Sequence, residues 1–474
     1  MTEVPNVLAD RYASREMAEL WSPKHKVRLE RQLWLAVLRA QRDLGVAVPD
    51  GVVEDYEAVV DRVDLASIEA RERVTRHDVK ARIEEFCALA GHEHVHKGMT
   101  SRDLTENVEQ LQIRRALELT RDRMVSVLAR LAARAAEHEA LVITGRSHNV
   151  PAQATTLGKR FANAGQELLE ALLRVEELLA RYPLRGLKGP VGTRQDLLEL
   201  FDGDAARVDR LETEVARHLG FERTLGSVGQ VYPRSLDLDV VAALVQAVAG
   251  PASLATSVRL MAGHDLVGEG FADGQVGSSA MPHKTNTRSS ERIGALAAVL
   301  RGHLTMVAGL AGDQWNEGDV SCSVVRRVAL PDAFLATDGL FQTTLSVLAG
   351  FTVHPAVIER ELAGQLPFLA TTKVLMAAVA TGMGREEAHA VIKEHALPAA
   401  EAVRDGREHA DGLLRRLAAD DRMPLDEVSL KELVAEPLTL VGSARDQVRA
   451  FVAEVDEVVH RHPDAAVYLG EPVR

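Results

Sequence analysis

From Leu104 to Val142 the chain runs without a single glycine or proline. Apolar side chains recur along it at helical spacing, at Leu104, Val108, Leu111, Leu117, Met124, Leu128, Leu131 and Ala135, and mark one stripe of a long helix. At 1.5 Å per residue such a helix extends about 58 Å. A helix of that length needs equally long neighbours to cover its stripe, so the chain is expected to be a bundle. Four further segments have helical patterns: Gln153–Arg181, Leu236–His264 with a kink at Pro251, Glu291–Leu310 and Ser323–Ala349.

Composition points the same way. Of 474 residues, 46% are hydrophobic but only 4% are aromatic, so the core is built from Ala, Leu and Val, which favours helix over sheet. An all-α fold is expected, in three parts: an N-terminal helical domain over residues 1–103, a central long-helix bundle over 104–352 and a C-terminal helical domain over 353–474. Gly-rich segments at 185–192, 226–233 and 268–282 separate the long helices and place functional loops at the bundle ends.

The formal net charge is −13, and no basic block or tail occurs. Nonspecific attraction to nucleic acid or to an anionic membrane is disfavoured, so an anionic ligand needs local arginines and lysines. Cys87 and Cys322 belong to no C-x-x-C pair and define no disulfide framework. The N-terminus lacks the basic-then-apolar pattern of a secretory signal. The apolar stretch around 240–255 is interrupted by Gly250-Pro251 and reads as too short for a membrane span. A cytoplasmic, enzyme-sized protein is expected.

His92-Glu93-His94-Val95-His96 fits H-E-x-x-H, the zinc-peptidase pattern. Gly91 and Gly98 bracket it, leaving too little room for the sustained helix that fixes two imidazoles. A metzincin would also need Gly and His where Met99 and Arg102 stand. Hydrogen-bonded loop histidines and no metal are expected. Immediately downstream, Thr100-Ser101-Arg102-Asp103 precedes the long helix. Asp103 or Ser101 is a natural N-cap there, and the same hydroxyls and free N–H groups suit a carboxylate or phosphate.

Two other segments concentrate polar chemistry. Gly277-Ser278-Ser279-Ala-Met-Pro-His-Lys284-Thr-Asn286-Thr-Arg-Ser-Ser-Glu291-Arg292 is a polar loop running into a helix. Gly145-Arg146-Ser147-His148-Asn149-Val-Pro-Ala-Gln153 reads as a loop with one histidine between two helices.

The run Gly277-Ser278-Ser279-x-Met281-Pro282-x-Lys284-x-Asn286 resembles the signature loop of the aspartase/fumarase superfamily, homotetrameric lyases that release fumarate. Arg11-Tyr12-Ala13-Ser14, Arg76-His77-Asp78-Val79, Thr100-Ser101-x-Asp103, Arg185-Gly-x-Lys188-Gly189 and Gly229-Gln230-x-Tyr232 resemble its adenylosuccinate lyase branch in particular. These segments span residues 11–327 in the family's order, and the last 120 or so residues carry no comparable signature. Three positions depart from the pattern. Thr287 replaces a common proline, Asn149 replaces glycine or an aromatic residue, and Gly318 stands where some members carry an arginine in the phosphate region.

The resemblance implies a β-elimination that splits a C–N bond and releases fumarate, in a homotetramer, with no metal or organic cofactor because the substrate's own carboxylate takes up the charge. It implies Ser278 as the base, its alkoxide stabilised by Lys284 and the following helix start, His148 as the general acid and Glu291 as the carboxylate orienting it. Thr100, Ser101, Lys284 and Asn286 would hold the succinyl carboxylates. Arg11, Tyr12, Arg76, His77, Asp78, Gln230, Arg292, Ser323 and Arg327 would hold the nucleotide and its phosphate. The partners implied are small-molecule nucleotides and copies of the same chain, with neither nucleic acid nor membrane. The competing expectations are another lyase of the superfamily, a noncatalytic helical scaffold and a metalloprotease.

Overall fold

The structure is a computed structural model that describes residues 5–270, 278, 280–281 and 283–472. Helices dominate it. The long helix extends from Ser101 to Glu137, about 56 Å. Every residue of its expected apolar stripe is buried. It packs against Leu157–Arg181, Cys322–Gly350 and Ala444–Arg461, and the last two of these, with Arg288–Ala308, complete the bundle. Five N-terminal helices between Arg15 and Ala90 lie beside it, led by Pro23–Asp43. Between Pro355 and Ala435 a group of shorter helices encloses a small separate core that includes Val374, Val391, Leu413, Leu417 and Leu430.

Two expectations about helix boundaries are corrected. The long helix ends at Glu137, and residues 142–156 are not helical. Val142–Ser147 and Val150–Thr156 form an antiparallel hairpin. The β-branched run Val142-Ile143-Thr144 and Pro151, which has no N–H for a helix, favour pairing over helix here. The next helix therefore starts at Leu157, capped by Thr156, whose Oγ1 accepts the Lys159 N–H at 3.1 Å. The kink expected at Pro251 falls at Val248, between Ser235–Ala247 and Ala249–Gly263. Proline supplies no N–H for the Ala247 carbonyl and crowds it, so the break lies one turn before the ring. The combined segment Ser235–Gly263 is long and apolar enough to cross a membrane, with a mean hydropathy of 1.6, but it packs into the bundle.

Gly339 shows how tightly the N-terminus is attached. A Cβ there would lie 2.8 Å from the Tyr12 Cβ, so only glycine lets the Arg11-Tyr12 segment lie flat on the Cys322–Gly350 helix.

The His92–His96 run lies beyond the end of the Asp78–Ala90 helix, in an irregular segment that enters a turn at Val95. Its imidazoles face different partners: His92 Nε2 meets Asp55 Oδ2 at 2.7 Å, His94 Nδ1 meets Lys97 Nζ at 2.9 Å, and His96 Nδ1 accepts the Trp34 Nε1–H at 3.0 Å. The one-turn pair of a zinc peptidase does not form. Burial pushes His96 down to about 4, against the opposing pull of Asp103. The unfolded chain titrates near 6.5, so it binds the extra proton first, and stability is complete above that pH and lost as pH falls toward 4. Going from pH 7 to pH 5 is expected to remove roughly 2 kcal/mol through this group. His96→Asn keeps an acceptor near the Nδ1 position and tolerates the left-handed φ of 70°. Denaturant unfolding at both pH values should show a flatter dependence in that variant, and an unchanged slope would refute the assignment.

Candidate functional site

Three helix starts converge on one cleft of about 420 Å³. They are the starts of Asp78–Ala90, Ser101–Glu137 and Cys322–Gly350. The cleft brings together five of the expected binding residues, His77, Asp78, Ser101, Ser323 and Arg327. The positive ends of three helices make it a setting for an anion. His77 is the N-cap of its helix, with Nδ1 accepting the Lys80 N–H at 3.2 Å. Asp78 is turned to Arg82, 2.6 Å away, and also accepts the Val79 N–H. Burial would raise the Asp78 carboxyl, but Arg82 and that N–H outweigh it and hold it below its ordinary value.

The N-cap position of the long helix is neither Ser101 nor Asp103. Thr100 is the N-cap, and its N–H donates to Asp103 Oδ2 at 2.9 Å in a capping box. That leaves the Ser101 hydroxyl on the cleft. Among the cleft residues absent from the sequence expectation are two further cations, Lys26 and Arg102. Arg102 occupies the variable position of Thr100-Ser101-x-Asp103, and Lys26 belongs to no motif.

Behind the cleft lies a buried ionic network. Arg326 binds Asp237 at 2.7 Å, Glu109 at 2.6 Å and the Tyr232 hydroxyl. Glu106 is paired with Arg234 at 2.8 Å. Burial would raise the Glu109 carboxyl, but Arg326 and Lys26 outweigh it and hold it well below the usual range. The network fixes the start of the Cys322–Gly350 helix, and with it Ser323 and Arg327. Gln230 is held at its backbone, donating its N–H to the Glu317 carbonyl at 2.6 Å. Gly318 has φ 130°, and a Cβ there would lie 3.2 Å from both the Gln230 Cβ and the Val231 Cγ2. The loop is thus shaped for glycine, and no arginine fits there without rearrangement.

The remaining expected residues lie elsewhere on the chain. The Arg292 guanidinium lies 5.3 Å over the Tyr12 ring, joining two of them. Arg11 and Arg76 are exposed. His148 and Asn149 form the two-residue tip of the hairpin, with φ of 52° and 62°. Both positive values are those of a type I′ turn, which accounts for Asn149. The expected loop between two helices is thus a paired hairpin whose tip exposes His148. Ser278 Oγ accepts the Met281 N–H at 3.1 Å and the Ala280 N–H at 3.3 Å. Among the described residues, the helix start that follows it is engaged elsewhere. The Ser289 and Ser290 N–H groups bind Glu269 at 2.7 and 3.0 Å. Lys284 and Glu291 are exposed, and Asn286 is half-buried between them. Gly277, Ser279 and Pro282 lie outside the described residues. Among the described residues, no hydrogen bond or ion pair joins His148 to Glu291.

The fold is shared with solved enzymes. It superposes on a fumarate lyase from Mesorhizobium with a TM-score of 0.80 at 24% identity, covering 94% of this chain and 98% of that one. It also superposes on a 3-carboxy-cis,cis-muconate lactonizing enzyme from Pseudomonas putida with a TM-score of 0.82 at 21% identity, covering 96% and 99%. A lyase family model matches residues 22–302, so fold and sequence together define a fumarate-releasing lyase. A model of the adenylosuccinate lyase C-terminus matches residues 367–451, in the part of the chain where no signature was legible. Adenylosuccinate lyase from Saccharomyces cerevisiae is 38% identical over 94% of this chain and 93% of its own. The Schistosoma mansoni enzyme is 34% identical over 98% and 97%. The chain belongs to the adenylosuccinate lyase family.

Proposed function

We propose that this chain releases fumarate from adenylosuccinate, giving AMP, and from the succinyl-carboxamide imidazole ribonucleotide, as part of purine biosynthesis in the cytoplasm. The observation that carries this reading is the cleft of His77, Asp78, Ser101, Ser323 and Arg327 in a chain matched over nearly its full length by adenylosuccinate lyases. The elimination needs a base at the carbon beside a carboxylate, stabilisation of the charge that builds there, and an acid at the leaving nitrogen. Ser278 is the base, supported as alkoxide by the Ala280 and Met281 N–H groups and by Lys284. His148 is the acid. Glu291 orients it, and Thr100, Ser101 and Asn286 hold the carboxylates.

The reading includes a homotetramer with shared sites. His148 and Glu291 are exposed and have no side-chain partner in the chain among the described residues. Large apolar side chains are exposed on the bundle helices at Leu173, Leu260, Val299, Met306, Val324 and Val328, as expected for surfaces that pair with further copies. Adding adenylosuccinate should produce fumarate and AMP; none would refute the substrate. Mixing Ser278→Ala protein with His148→Ala protein should restore part of the lost activity after subunit exchange. No restoration, with exchange shown independently, would place each site within one chain.

A further inference from the structure

Of the cations that reach the cleft, two are already committed. Arg326 serves Asp237, Glu109 and Tyr232, and Lys26 is matched to Glu109 at 3.2 Å. Arg327 has no acidic partner among the described residues. Arg102 is different again. Its side chain is only 13% exposed, and its Nη1 meets Glu106 Oε1 at 3.2 Å. Glu106 is wholly buried and already holds Arg234, so it fixes the orientation of Arg102 without depending on it. The other end, Nη2, donates to Ser323 Oγ at 3.3 Å. The guanidinium therefore bridges two of the three helix starts, in a cleft that Arg327 also lines.

We propose that Arg102 is a phosphate-binding residue of this cleft, acting with Ser323 and Arg327 on the phosphate monoester of the nucleotide; this rests on the nucleotide-lyase reading of the same site. A planar guanidinium held by a buried carboxylate and aimed past a serine hydroxyl is pre-organised for two phosphate oxygens, which Lys26, a point charge facing Glu109, is not.

The test is direct binding, by calorimetry on the full-length protein, of AMP, adenosine and inorganic phosphate. Arg102→Met keeps the length of the side chain, and Glu106 retains Arg234. The variant should bind AMP and phosphate roughly 10- to 100-fold more weakly, with adenosine affinity nearly kept. Arg102→Lys should recover part of the loss, and in turnover KM should rise more than kcat falls. Equal losses for AMP and adenosine, or phosphate affinity the same as in the wild type, would overturn the proposal. If Arg102→Met fails to fold, the same comparison on Arg102→Lys decides, because a lysine without the planar fork should still bind phosphate measurably more weakly. Absence of lyase activity in the wild type refutes the substrate reading alone, since the phosphate titration does not depend on turnover.

Discussion

Ser278→Ala is expected to reduce turnover by about 10²–10⁴-fold, the usual contribution of a positioned general base, while nucleotide binding stays nearly intact. A serine hydroxyl is a poor base unless its alkoxide is stabilised. Here the Oγ already accepts two backbone N–H groups, from Ala280 and Met281, and that geometry serves an anion better than a neutral hydroxyl. Those acceptor contacts also leave the hydroxyl proton free to depart. Ser279→Ala is expected to be milder, because the first serine of the pair aligns with the family's base. A competing account gives Ser278 only a carboxylate-binding role and makes His148 or His77 the base. That account predicts weaker binding with turnover largely kept at saturation. His77 is a poor candidate for it, since its Nδ1 already caps a helix. Substrate affinity and single-turnover rate measured on the same folded Ser278→Ala protein separate the two, and near-normal turnover would eliminate the serine base.

The bundle was legible because its signal is periodic. A stripe from Leu104 to Ala135 has one solution, and the structure buries all of it. The His148 hairpin was not, because Val142-Ile143-Thr144 continues an apolar run and only pairing with residues 150–156 reveals its two-residue period. The signature segments named the family but did not sort contact residues from scaffold. Arg185, Lys188 and Tyr232 belong to those segments, yet each is buried and occupied by protein groups, Lys188 by Glu212 and Tyr232 by Asp237 and Arg326. A motif records that a residue type is needed, not whether a ligand or a loop needs it. Arg102 was missed for the opposite reason: it sits at the motif's variable position, and only the approach of Ser323, far away in sequence, gives it a role.

Asp103 carries the largest expected effect on stability. Its carboxylate is wholly buried and accepts from Arg185 Nη1 at 2.6 Å, the Lys188 N–H at 2.8 Å and the Gly189 N–H at 3.1 Å, besides the Thr100 N–H. One and two turns along the same face, Asn107 and Gln110 bind Gly186 and Pro183 through their side-chain amides. This polar stripe clamps the 183–189 loop to the long helix, and Arg185 extends it to the Gly229 carbonyl beside Gln230. Asp103→Leu should therefore destabilise the protein by about 3–5 kcal/mol, the cost of leaving one partner of a buried pair uncompensated. Pairing it with Arg185→Met tests what the carboxylate is for. If the ion pair were the whole interaction, two apolar residues of similar volume would restore most of the stability. The backbone N–H groups of Lys188 and Gly189 would still lack an acceptor, at about 1–3 kcal/mol each, so the double variant should remain well below the wild type. Chemical denaturation of the three proteins decides it, and full recovery in the double variant would show that the loop does not depend on Asp103 for its hydrogen bonds.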